Sequence, residues 1–189
     1  MKYFLIIFFI LFYFKIVSAG VGKETGLKIP RFISIKSNDA NIRIGPSKNY
    51  PIILKYVKKN YPLKIIEEYD DWRRVEDYQK NIGWIHKSLI TGNRTGLLLN
   101  KYNNAVEVFN SVDGNIIGKI GNKNIVFLKK CKKKWCYVLI NNHSGWVRKN
   151  DIWGVKKEEV FNINFFQRFE DFYWISFIYL KKKTESFYN

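Results

Sequence analysis

The chain has 189 residues and carries 33 Lys and Arg against 16 Asp and Glu, a formal net charge of +17. Two cysteines and two histidines, none at zinc-like spacing, are too few ligands for a metal site, and the four residues between Cys131 and Cys136 differ from the two of a redox dithiol. The charge has two explanations. One is an anionic partner such as a membrane surface or cell-wall polymer. The other is codon drift, since 26 Lys, 25 Ile and 19 Asn against 7 Arg and 3 Ala follow AT-rich codons along the whole chain.

The N-terminus predicts a secretion signal. Lys2 is followed by an apolar run over residues 3–14, and Val17-Ser18-Ala19 offers small residues for cleavage after Ala19. The run is shorter than the ~20 residues of a membrane span, which leaves an uncleaved anchor as the alternative. No lipobox cysteine lies near the cut. Cleavage removes residues 1–19 and two lysines, leaving a charge of +15 and 170 residues, enough for one medium or two small domains. Export argues against nucleic acid as the partner.

Residues 20–30 lack periodicity and predict a flexible leader. Residues 31–36 alternate apolar and polar at the period of a half-buried strand, as do residues 42–44, which Gly45-Pro46-Ser47 ends. A third strand covers residues 63–69. Asp70-Asp71 makes a tight turn. Residues 72–76 and 82–86 are the fourth and fifth strands, with a turn over residues 77–81. No stretch of ten residues has helical period.

A second series follows. Residues 97–99 open it, residues 106–108 match 42–44, and Asp113-Gly114 signals a hairpin. Residues 125–128, 135–140 and 145–148 match the last three strands of the first series. Beyond Val155 the character changes. Residues 161–180 are aromatic-rich, yet Asn162, Asn164, Gln167, Arg168, Glu170 and Asp171 argue against a transmembrane helix. The extension, residues 156–189, reads as a docked helix, an interfacial membrane segment or a poorly structured tail.

The two series share one pattern. Trp72-Arg73-Arg74-Val75 is followed by Gly83-Trp84-Ile85, and Trp135-Cys136-Tyr137-Val138 by Gly145-Trp146-Val147. The offset is 63 residues between Trp72 and Trp135 and 64 between Ile42 and Val106, as duplication requires. Short strands punctuated by turns predict an all-β fold of two small barrels. Gly83 in mid-strand permits close approach of a neighbour, and Trp84 and Trp146 are expected to bury their rings beside it. Trp72 and Trp135, with charged neighbours after tight turns, are candidates for half-exposed platforms, with core packing as the alternative.

Asn41-Ile42-Arg43-Ile44-Gly45-Pro46-Ser47, Tyr50-Pro51, Trp72-x-x-Val75 and Gly83-Trp84-Ile85 together resemble a bacterial SH3 domain. The second series resembles the same family in its later half, although Val108-Phe109-Asn110 replaces the Arg-x-Gly-Pro element. The resemblance implies two SH3-like barrels, at residues 31–92 and 96–155. Behind a signal peptide, this tandem layout resembles secreted proteins of Gram-negative bacteria and implies a periplasmic or cell-envelope location. It further implies a non-enzymatic binding module whose partner is peptidoglycan peptide or an envelope protein, with Tyr50, Tyr69, Trp72 and Trp135 as candidate ligand contacts.

Cys131 and Cys136 predict a disulfide, because an even pair in an oxidising compartment can face across a hairpin. A ring this small stabilises by about 2 kcal/mol. Lys129, Lys130, Lys132, Lys133 and Lys134 crowd the same tip. Their field favours the thiolate and makes an anion-attracting prong, the candidate contact for an anionic membrane surface; the alternative is a solvated loop. No catalytic residue, cofactor or metal ligand is predicted. Asp70 and Asp71 are adjacent rather than opposed, and Ser88 and Ser144 lie near His86 and His143 without a nucleophile elbow. A cell-wall hydrolase, the competing reading, requires one of these histidines beside a nucleophile or carboxylate in a concave site.

Overall fold

The computed structural model describes residues 20–102 and 104–162. The expectations for residues 1–19, and for the extension beyond Asn162, lie outside the described residues.

The first unit is built from β1 (Arg31–Ile35), β2 (Ala40–Arg43), β3 (Ile52–Tyr56), β4 (Pro62–Tyr69), β5 (Trp72–Glu76), β6 (Ile82–His86) and β7 (Ile90–Thr91). They form one antiparallel sheet in the order β3-β2-β6-β5-β4-β1-β7, curled around Ile33, Ile35, Ile42, Leu63, Ile65, Val75 and Ile85. The strand at residues 52–56 was not legible in the sequence. It lies at the sheet edge, and its consecutive Ile52 and Ile53 are both exposed, so no alternation marks it. The expected turns are present. Asp70 takes a φ of 48° between β4 and β5. The 77–81 turn is organised by the Asp77 carboxylate, which accepts from Gln79 N, Asn81 N and Asn81 Nδ2 at 2.8–2.9 Å. Tyr56 Oη donates to the same carboxylate at 2.8 Å, and burial together with that charge pushes the Tyr56 phenol far above its ordinary value.

The second unit comprises β8 (Thr95–Leu98), β9 (Val106–Phe109), β10 (Ile116–Ile120), β11 (Ile125–Cys131), β12 (Trp135–Ile140), β13 (His143–Arg148) and β14 (Ile152–Trp153). Their order is β10-β9-β13-β12-β11-β8-β14, the order of the first sheet with every strand number raised by seven. The internal repeat is therefore a repeat of topology. A short β15 (Phe161–Asn162) adds to β11. The core holds Leu98, Val106, Val126, Leu128, Val138 and Val147, with both cysteines at its end.

Gly83 and Gly145 occupy equivalent places. A Cβ on Gly83 would lie 2.3 Å from Ile42 Cγ2 and 2.9 Å from the Arg43 carbonyl oxygen; on Gly145 it would lie 2.4 Å from Val108 Cγ1 and 3.1 Å from the Phe109 carbonyl oxygen. The sheets fold tightly over these two positions. Gly83→Ala and Gly145→Ala should each lower stability by about 1–2 kcal/mol through overpacking, read as a reduced denaturation midpoint. Unchanged midpoints would show that the strands yield freely.

The units touch directly. The Ser34 and Thr95 hydroxyls, both buried, lie 2.6 Å apart and share one hydrogen bond; the Asn93 carbonyl lies 2.6 Å from Ser34 Oγ and the Asn60 carbonyl 2.8 Å from Thr95 Oγ1, and the hydroxyl that accepts in the shared bond donates to its carbonyl. Phe32 meets Trp153 edge-on at 5.2 Å. Residues 20–30, expected to be a flexible leader, are instead tied down. Val21 bridges Lys28, and the Glu68 carboxylate accepts from Glu24 N, Thr25 N and Thr25 Oγ1 at 2.8–3.1 Å. A buried acid on β4, 43–44 residues along the chain, supplied the partner that local sequence lacks.

Candidate functional site

The tryptophans share the outer face of each sheet and differ in how far they are covered. Side chains alternate along a strand, and on β6 the inward positions belong to Gly83 and Ile85, the outward ones to Trp84 and His86. Trp84 and Trp146 are thus half-buried on the outer face rather than packed in the core. Trp72 and Trp135, the platform candidates, are only 8% and 7% exposed, which favours the packing alternative. Each is covered by cross-strand neighbours. Trp72 meets the His86 ring at 5.3 Å. Trp135 meets Phe109 at 4.9 Å, and the Arg148 guanidinium lies 5.9 Å from its ring. They support the face rather than present it.

The outer face of the first unit carries the exposed aromatics. Tyr69 is 60% exposed and stands edge-on to Trp84 at 6.5 Å. Arg43 and Arg74 flank Trp84, each paired with it across the sheet. Tyr50, 45% exposed, covers Gly45, and its carbonyl accepts from Arg43 Nη1 at 2.6 Å. Tyr50 and Tyr69 are therefore accessible as the sequence suggested, and Trp84 joins them. The signal that could have found Trp84 is Gly83: if the glycine faces inward, the next residue faces out.

The second unit repeats the arrangement with different chemistry. Tyr137 lies 5.4 Å from Trp146, and Lys132 Nζ sits 5.2 Å above the Trp146 ring. Arg148 spans Phe109 at 4.9 Å and pairs with Glu107. Cys131 and Cys136 face each other across β11 and β12 with a Cα separation of 4.1 Å and are joined by the expected disulfide. Lys132, Lys133 and Lys134 are exposed at the hairpin tip and Lys129 beside it, whereas Lys130 is half-buried where β15 pairs with it.

The position of that disulfide in the first unit is held by an ion pair. Glu68 and Arg73 oppose each other across β4 and β5 as Cys131 and Cys136 do across β11 and β12. The Glu68 side chain is fully buried between Arg31, at 2.5 Å, and Arg73, at 3.5 Å.

His86 comes within 2.8 Å of the Ser88 hydroxyl and 3.8 Å of the Asp71 carboxylate. These three residue types also compose hydrolytic triads, but here the chemistry is local. His86 Nδ1 accepts from Ser88 N as the cap of a 3-10 turn over residues 87–89, and Asp71 is held by Lys87 at 2.5 Å. His143 is exposed at the start of β13. Among the described residues no three His, Cys, Asp or Glu side chains are grouped to hold a metal.

The family comparison agrees with this architecture. The family model described as bacterial SH3 domain matches residues 36–92 and 115–154. The chain belongs to the bacterial SH3 domain family. No curated protein matches it. Among solved structures, NlpC2 from Trichomonas vaginalis aligns at 12% identity and a TM-score of 0.30, over 71% of this chain and 51% of that one. An NlpC/P60 family protein from Bacillus cereus aligns at 14% identity and 0.29, over 65% and 55%. NlpC1 from Trichomonas vaginalis aligns at 11% identity and 0.29, over 76% and 52%. This bacterial SH3 chain spans about half the length of those structures.

Proposed function

We propose that this bacterial SH3 protein is a non-enzymatic binding module of the cell envelope that engages cell-wall material, in the first place peptidoglycan peptides. The observation carrying this reading is the outer face of the first unit, where Tyr69 and Trp84 stand together between Arg43 and Arg74. Exposed aromatic rings supply apolar contact area, and flanking guanidiniums pair with carboxylates. The engagement of His86 in a turn cap supports a role without catalysis. Export, with cleavage after Ala19, fits the disulfide, which persists in an oxidising compartment.

Sedimentation of the mature chain with purified peptidoglycan tests the proposal. Trp84→Ala and Tyr69→Ala should each weaken retention about tenfold, in line with the loss of a binding hot spot, while thermal stability stays near that of the parent. Retention unchanged in both variants would overturn the assignment of this face. The exposed Lys132, Lys133 and Lys134 favour a second reading, an anionic surface as partner. Such binding is distinguished by its steep loss with salt, because exposed charges are screened over about 8 Å at physiological ionic strength.

A further inference from the structure

An open cleft of about 430 Å³ lies where the two units meet. One wall comes from Lys28, Arg31 and Phe32 of the first unit. The other comes from Arg94 and the segment carrying Lys156, Glu158 and Glu159. Four cations thus face two carboxylates. Among the described residues, two buried side-chain polar atoms lack any hydrogen-bond partner, Arg31 Nη1 and Arg94 Nε, and both belong to this cleft. Buried donors are ordinarily satisfied, so a pair of orphans in one cleft points to a missing acceptor.

The rest of each guanidinium is held in place. Arg31 Nη2 donates to Glu68, and Arg94 binds Glu159 through both terminal nitrogens and donates from Nη2 to the Gly154 carbonyl at 3.0 Å. Burial raises the Glu159 carboxyl, but the Arg94 hydrogen bonds and charge outweigh it and hold the group below its usual value, so it stays ionised. The wall carrying Glu159 is itself fixed, since the buried Lys149 Nζ donates to the Lys157 and Glu159 carbonyls at 3.1 and 2.7 Å. The two orphan donors belong to residues that line the cleft. Phe32, edge-on to Trp153, adds an apolar surface beside them.

We infer that the cleft between the two units binds a carboxylate borne on a small apolar group, such as the free C-terminus of a short peptide. Guanidinium donors match the planar carboxylate, Lys28 and Lys156 supply long-range attraction, and Phe32 packs against the adjoining methyl or methylene. This site is separate from the Tyr69–Trp84 face and needs no assumption about what that face binds.

The test is calorimetric titration of the mature, full chain with N-acetyl-alanyl-alanine as the free acid, as its carboxamide, and with inorganic phosphate. The free acid should bind at least tenfold more tightly than the carboxamide and than phosphate. Arg94→Lys keeps the charge opposite Glu159 but removes Nε, and Lys156→Met removes an outer cation. Each should weaken the free acid, Arg94→Lys at least tenfold, with the denaturation midpoint little changed. Trp84→Ala should leave this binding intact. Absence of binding, equal binding of acid and carboxamide, phosphate as tight as the acid, or Arg94→Lys equal to the parent would each overturn the assignment.

Discussion

Replacing Glu68 with alanine is expected to destabilise the protein by about 3–5 kcal/mol, the cost of removing one partner from a buried ion pair. The side chain is fully buried and serves two guanidiniums and the leader at once. Arg31 and Arg73 lie against Oε1, and Oε2 accepts from Glu24 N and Thr25 N. Truncation strands Arg73, itself buried, with only the Asp70 and Trp72 carbonyls to accept from it. It also leaves the leader amides without their acceptor. At about 2–4 °C per kcal/mol for a chain of this size, the midpoint should fall by roughly 10 °C. Glu68→Gln, which keeps the shape and an acceptor, should cost less. A loss under ~1 kcal/mol for the alanine variant would show that the ion pair is dispensable.

The same residue fixes a pH dependence. Burial raises the Glu68 carboxyl, but hydrogen bonds from Arg31 and Thr25 and the Arg31 charge outweigh it, and the folded-state value lies below the ordinary one. A depressed folded value means that the ionised form stabilises the fold. Its contribution is complete above the unfolded carboxylate value, about 4.3, and is lost as pH falls through the lower folded value. Acid unfolding of the parent should therefore have a component that Glu68→Gln lacks.

The fold was legible because its signals are local. Gly83 and Gly145 and the paired tryptophans recur 62–63 residues apart, the turn at Asp70 is marked by its own residues, and each acts on residues adjoining it in the sheet. What was not legible depends on partners far along the chain. Glu68 is indistinguishable by sequence from Glu67, and only the bulge between Ile65 and Glu67 turns it inward toward Arg31 and Thr25. The edge strands β3 and β10 expose isoleucines and so lack the pattern of a half-buried strand. Trp72 and Trp84 both sit on the outer face, and the degree of covering by His86 or Tyr69, set by register, separates a support from a contact. The cleft between the units needs residues 28–32, 94 and 156–159 together, a juxtaposition no periodicity encodes.

Register also explains why one unit has cysteines and the other does not. The pair at the end of β4 and β5 must close a hairpin whose tip projects past the core. In the first unit, Glu68 and Arg73 do so and additionally clamp the leader; in the second, Cys131 and Cys136 do so where β15 joins β11 at Cys131. Reduction of the disulfide, or Cys131→Ser with Cys136→Ser, should therefore cost about 2 kcal/mol, the chain-entropy value for so small a ring. The loss should be confined to the second unit. Hydrogen exchange should quicken at the β11–β12 hairpin and at β15, while the amides of β4 and β5 keep their protection, because Glu68–Arg73 is indifferent to reductant. Thiol labelling should find both cysteines blocked in denaturant and both reactive after reduction. Two free thiols before reduction would show that the bridge does not form. Equal loss of protection in both units would show that the two barrels unfold as one, through the Ser34–Thr95 and Phe32–Trp153 contacts that join them.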